Sequence, residues 1–191
     1  MGVRSFTRSD MASWPGRQVC IVHVDGSEDG EDQSEIASTM SRDTDILDSM
    51  VVRADGDPEA VPGIHRTIRC IRPKGLPVVL ETSGRHPEQL DDLMGAGYVT
   101  GIGLILDGPP DAEQRRSLRV VDDEGGTLDV IVVLHPTRMP ADRVLEIADS
   151  VDSYGMFVLR MPPRPEPRYE RKDLDALAKS LRGRARNVRV G

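Results

Sequence analysis

The sequence predicts an α/β protein: a parallel sheet with alternating helices. Three observations carry this. Short apolar runs rich in β-branched residues alternate about six times with segments of helical periodicity. The clearest run, LPVVLETSG at 76–84, is apolar without alternation, as a central strand covered on both faces should be. Turn signals such as Asp55-Gly56, Pro73-Lys74-Gly75 and Gly108-Pro109-Pro110 punctuate the runs, and parallel strands need crossovers, usually helical ones. Eight βα units at ordinary spacing do not fit 191 residues, which leaves a partial barrel or an open doubly wound sheet; periodicity does not separate the two.

In chain order, residues 1–16 read as a polar arm ending in Pro15-Gly16, followed by a single α/β domain over 17–191. RQVCIVHV (17–24) is a short buried strand. Ile36, Met40, Ile46, Leu47 and Met50 give 34–50 an approximately helical spacing, with Asp32 or Ser34 as cap. VVRADGDP from residue 51 is a very short strand closed by turn residues. Ile64, Ile68 and Ile71 make 60–75 a helix, ended by Pro73. Strand 76–84, a helix over 86–97 with Pro87 early, and strand 98–110 follow. Strand 128–140, an amphipathic helix over 141–154, strand 155–163, a helix over 171–184 and a small strand at 187–190 complete the series.

Composition narrows the function classes. Cys20 and Cys70 are too few for a disulfide framework or a cysteine-only zinc site, and both are expected to be buried, reduced thiols of a cytoplasmic protein. The first residues lack the apolar stretch of a signal peptide, and no window approaches a membrane span. Net charge is −7 but blocked: residues 25–60 carry twelve acidic and two basic side chains, residues 160–191 ten basic and four acidic. Such a basic tail fits contact with acidic parts of its own chain; with aromatics at 3%, the stacking platforms that nucleic acid needs are missing.

Ligand chemistry in parallel α/β folds gathers at the carboxyl ends of the strands. Glu81, directly after LPVVL, is placed to accept two hydroxyls of a ribose, and His135 is the best-placed histidine. Asp25, Glu28, Asp29, Glu31, Asp32 and Glu35 form an acidic loop after the first strand; their spacing misses the calcium-loop pattern, and a solvated loop is expected.

The order ADGDP (54–58), LETSG (80–84), ILDGPP (105–110) resembles the radical S-adenosylmethionine activating enzymes, of the kind that activates anaerobic ribonucleotide reductase or pyruvate formate-lyase. There a Gly-Gly-Glu-Pro strand end is followed by an apolar-(Glu or Asp)-Thr-(Asn or Ser)-Gly strand and a third ending near Asp-x-Lys. The similarity spans about residues 15–163 and implies a partial (β/α)6 barrel, with Asp55, Gly56 and Asp57 toward the methionine ammonium, Glu81 toward the ribose, and Asp107 and His135 at neighbouring strand ends. The chain departs from this family where Cys-x3-Cys-x2-Cys would hold a [4Fe-4S] cluster: it reads SEDGEDQSE, and carboxylates are hard donors unsuited to replace thiolates. The expectation is therefore a pseudoenzyme without a [4Fe-4S] cluster or catalytic residues, S-adenosylmethionine being its possible ligand. It would act as a partner-binding, scaffold or regulatory subunit toward a larger protein or an activating-enzyme-like complex. The acidic loop and the Pro-Arg segment 160–172 are the candidate docking surfaces. The alternative is an enzyme or S-adenosylmethionine sensor using the crevice around Glu81, with or without a divalent cation.

Overall fold

A computed structural model describes residues 2–8, 14, 16–25, 33–43, 45–72, 74–162 and 165–191. One eight-stranded sheet runs through it in unbroken chain order, β1 to β8. β1 (Gly2–Arg8) is antiparallel to β2 (Val19–Asp25). From β2 onward all pairings are parallel: β3 (Ser49–Arg53), β4 (Val78–Thr82), β5 (Gly101–Ile105), β6 (Thr127–Val133), β7 (Met156–Arg160) and β8 (Val188–Val190). The crossovers carry α1 (Gln33–Asp43), α2 (Ile64–Ile71), α3 (Pro87–Gly95), α4 (Ala112–Asp123), α5 (Ala141–Ser150) and α6 (Arg171–Leu181).

Strand order decides between the two architectures left open by periodicity. Right-handed crossovers between strands that never reverse order place every helix on the same face of the sheet. The core divides accordingly. A large cluster joins one strand face (Cys20, Val22, Val52, Leu80, Leu104, Val132, Leu159) to helix residues such as Ile68, Leu90, Val144 and Leu177. A second cluster of Val19, Ile21, Val51, Val79, Ile131, Met156 and Val158 contains no helix residue; its centre is Trp14. The sheet thus curls round a lumen of its own side chains, a partial barrel rather than a doubly wound sheet.

Trp14 is fully buried in that lumen. Room for it comes from Gly103 of β5, where a Cβ would stand 2.7 Å from the indole ring. Arg17, whose guanidinium lies 5.9 Å from the ring centroid, reaches Asp129 of β6 at 2.7 Å on the inner face. Burial pushes the Asp129 carboxyl up, against the pull of Arg17.

Several boundaries differ from the sequence reading. Residues 2–8, expected in a polar arm, form β1. The helix expected over 34–50 ends at Asp43; Ile46 is 67% exposed and Met50 is buried in β3. Helix 60–75 shortens to α2, preceded by a 3-10 turn at Pro58–Ala60. α4 was not expected at all. Cys20 is buried, but Cys70 sits on the exposed side of α2, where Ile64, Ile68 and Ile71 take the buried stripe. No helix among the described residues is long and apolar enough to cross a membrane.

Candidate functional site at the strand ends

β4 separates the site into two layers. Its pleat turns Val79 and Glu81 into the lumen and Leu80 and Thr82 toward the helices.

On the lumen side, Glu81 is held by two arginines. Arg160, last residue of β7, donates from Nη1 to Oε1 at 2.6 Å and from Nη2 to Oε2 at 2.7 Å, a bidentate fork. Arg53, last residue of β3, brings Nη2 to 2.8 Å from Oε2, and the Trp14 indole donates to Oε2 at 3.3 Å. Burial alone would raise the Glu81 carboxyl; the charge and hydrogen bonds of Arg160, then Arg53, outweigh it and hold the group below the ordinary carboxylate range. Both oxygens therefore already have partners at the place where a ribose was expected.

On the helix side, Asp57 accepts from the Ser83 amide at 2.5 Å and the Ser83 hydroxyl at 2.6 Å. Thr82 Oγ1 lies 3.1 Å from Asp57 Oδ1 and 2.5 Å from Glu59 Oε1, and receives the Gly84 amide at 2.9 Å. Gly84 has φ +72°, and a Cβ there would meet Leu104 at 2.6 Å, so the turn leaving β4 needs glycine. Gln114 and Ser117 of α4 donate to the carbonyls of Ser83 and Gly84 at 2.9 and 2.8 Å. Glu59 is 3% exposed; burial first, and the neighbouring Asp57 charge, raise its carboxyl to about 7 against the Thr82 hydrogen bond.

The structure thus brings Asp57 onto the Thr82-Ser83 turn but sends Glu81 to the opposite face. Asp55 is mostly exposed, its Oδ1 3.2 Å from His23 Nε2, and Gly56 has open space around it. Asp107 is exposed beyond β5. His135 folds back as a cap: its Nδ1 accepts from the amides of Thr137 and Arg138 at 3.4 and 3.3 Å, leaving Nε2 4.0 Å from Glu166. Among the described residues, no hydrogen bond or ion pair joins Asp107 or His135 to Glu81. Trp14, Arg53 and Glu59 were not singled out in the sequence, and Arg160 only as the start of the Pro-Arg segment, although Arg53 and Arg160, like Glu81, close apolar strands.

The cysteines do not fit a cluster. Cys20 packs in the helix-side core from the start of β2 and Cys70 lies on α2. Among the described residues, no group of three His, Cys, Asp or Glu side chains is arranged to hold a metal ion. Residues 26–32, most of the acidic loop, lie outside the described residues, as do 163 and 164 of the Pro-Arg segment. The rest of that segment is tied down: Arg168 donates to the Pro162 carbonyl at 2.7 Å, Tyr169 to that of Met139 at 2.5 Å, and Arg138 meets Glu166 at 2.5 Å. The basic tail also pairs within the chain, through Arg160 with Glu81 and Arg184 with Asp149. Two clefts open elsewhere: one of about 660 Å³ between α4 and the loop after α5, lined by Leu118, Arg119, Val151 and Tyr154, and one of about 550 Å³ beside α6, lined by Pro140, Tyr169 and Leu177.

No family model and no curated protein sequence matches the chain. Solved structures do. Streptococcus suis SuiB bound to S-adenosylmethionine superposes with a TM-score of 0.61 at 12% identity, over 86% of this chain and 44% of SuiB. SuiB bound to its precursor peptide SuiA gives 0.62 at 11%, over 86% and 43%. A chain of the tryptophan synthase a2b2 complex from Pyrococcus furiosus gives 0.56 at 15%, over 92% and 77%. The chain spans less than half the length of SuiB, and likeness at this identity speaks for fold alone, a fold that hosts unrelated chemistries. What geometry and comparisons together establish is a partial (β/α) barrel of the fold seen in SuiB and in the tryptophan synthase chain, whose central strand-end carboxylate is bound by two arginines.

Proposed function

We propose that this protein is a non-catalytic relative of the radical S-adenosylmethionine activating enzymes that acts by binding a protein or peptide partner. The observation that carries the reading is the occupied lumen: Glu81 spends both oxygens on Arg160, Arg53 and Trp14. A ribose there would have to displace charge-assisted hydrogen bonds with neutral hydroxyl donors, an unfavourable exchange in a buried site. The two cysteines, on separate elements, supply no cluster ligands. Support for a partner comes from SuiB, which shares the fold and holds a precursor peptide.

A cluster-free protein that senses S-adenosylmethionine is the second reading, favoured by the SuiB structure bound to that molecule. One experiment separates the two. Protein purified anaerobically is analysed for iron and sulfide, titrated calorimetrically with S-adenosylmethionine, and passed as bait over extract from its own host, with Glu81→Gln in parallel. The proposal expects neither iron nor heat, and a discrete partner retained by both forms. Stoichiometric iron and sulfide, or heat lost in Glu81→Gln, overturns it.

A further inference from the structure

The helix-side layer holds a buried ionisable group that the proposed function does not use. Glu59 is 3% exposed; its Oε1 lies 2.5 Å from Thr82 Oγ1, and its Oε2 is buried without a hydrogen-bond partner. The same hydroxyl stands 3.1 Å from Asp57 Oδ1 and receives the Gly84 amide. A hydroxyl has one proton to give and two lone pairs to receive. With both carboxylates ionised, Thr82 satisfies one of them and turns a lone pair toward the other. With Glu59 protonated all three contacts are met: the Gly84 amide and the Glu59 hydroxyl donate to Oγ1, and Oγ1 donates to Asp57. Asp57 is the acceptor in this arrangement, because its other two contacts, the amide and hydroxyl of Ser83, are donors to it.

From this proton count we propose that Glu59 is a proton-operated latch on the segment 54–60: protonated, it fastens the segment to the end of β4; ionised, it releases it. The segment carries Asp55 and Asp57, so the latch sets the shape of one wall of the strand-end crevice whether or not that crevice binds a ligand. The pull of burial on Glu59, toward about 7, places the transition near neutrality.

The other groups packed on this segment are accounted for. The end of β4 presents Thr82, and the turn after it Ser83. His86, at the head of α3, lies 3.7 Å from Asp57, while Glu88, Asp91 and Asp92 of α3 are exposed. His65, Arg66 and Arg69 of α2 are exposed, and His23 of β2 meets Asp55 at 3.2 Å. Two histidines therefore stand beside the carboxylates of this segment and need their own controls.

The test is hydrogen exchange of the full chain between pH 5 and 8.5, corrected for intrinsic exchange, with carbon-13 NMR of the Glu59 carboxyl. An opening that releases one such proton grows about tenfold per pH unit between roughly pH 5 and 7, then levels off. Peptides covering 54–63 should follow that curve in wild type, in His86→Asn and in His23→Asn, and remain flat in Glu59→Gln, with the carboxyl midpoint near neutrality. A flat wild-type curve, a slope that survives Glu59→Gln, a slope abolished by either histidine variant, or a carboxyl midpoint in the ordinary range overturns the latch. The NMR titration needs no variant, so failure of Glu59→Gln to fold leaves the proposal open to refutation.

Discussion

Glu81→Gln separates a structural anchor from a ligand-binding carboxylate. The substitution keeps size and leaves one amide oxygen to accept, but removes the charge between Arg53 and Arg160, whose side chains are 20% and 15% exposed against 6% for Glu81. Two guanidinium groups then face each other around a neutral amide. Removing one partner of a buried charge pair costs about 3–5 kcal/mol, chiefly because the remaining charge is stranded. For a chain of 191 residues this lowers Tm by roughly 6–20 °C, at about 2–4 °C per kcal/mol. Arg160→Met should cost less, since Arg53 still balances the carboxylate, and the two substitutions together should fall short of the sum of the single effects, being in direct contact. Acid adds a second signature. Because the folded group is held below its ordinary 4.5, its contribution is present above that pH and is lost as pH falls through the folded value, so wild type should lose stability in acid where Glu81→Gln does not through this group. Denaturant and thermal unfolding at pH 7 and pH 4 measure both. A Glu81→Gln variant as stable as wild type, or wild type alone stabilised by S-adenosylmethionine, would refute the anchor reasoning.

Trp14 and Gly103 should behave as one packing unit: Trp14→Ala empties the lumen at about 3–5 kcal/mol, and Gly103→Ala, driving a Cβ to 2.7 Å from the indole, costs about 1–3 kcal/mol. Trp14 is the chain's single tryptophan, so its fluorescence should be blue-shifted in the native state and shift red in Gly103→Ala. Glu59 should make stability fall by about 3 kcal/mol as pH rises from 4.5 to 7, because a raised carboxyl favours the folded state at low pH, and Glu59→Gln should remove that slope in denaturant titrations. Cys70 should react with a thiol reagent in the native state while Cys20 waits for unfolding; simultaneous reaction would contradict their placement.

The strand series was legible because buried parallel strands write themselves as continuous apolar runs, VCIV, MVV, VVL, VIVV and FVL. Barrel against doubly wound sheet was not, since it depends on the order in which strands pair rather than on local periodicity. α4 escaped notice because its buried face includes Gln114 and Ser117, leaving little apolar stripe; the signal that betrays it is Asp111-x-x-Gln114, a capping box whose two hydrogen bonds both measure 3.0 Å. β1 escaped because an antiparallel edge strand, GVRSFTR, carries few apolar residues. At the site, the place of Glu81 at a strand's carboxyl end was readable from the run before it, but a run without alternation does not tell which face it takes, and Arg160, 79 residues further on, meets it through the closing of the barrel.

Glu81 and Thr82 are neighbours in one motif, yet the pleat sends them to opposite layers. A ligand using Asp57 and Glu81 together, as the sequence resemblance implies, would need both on one wall. Asp57 instead fastens the turn on the helix side, and Glu81 closes the lumen. Drawing Glu81 away from its arginines costs a ligand the same 3–5 kcal/mol that its removal costs the fold, roughly a hundred- to several-thousand-fold in Kd. A partner that engages surfaces outside the lumen bears no such penalty. Of the residues that make the resemblance legible, Asp57, Glu81, Thr82, Ser83 and Gly84 are committed to holding the barrel together, and under the proposed function recognition falls to its outer surfaces.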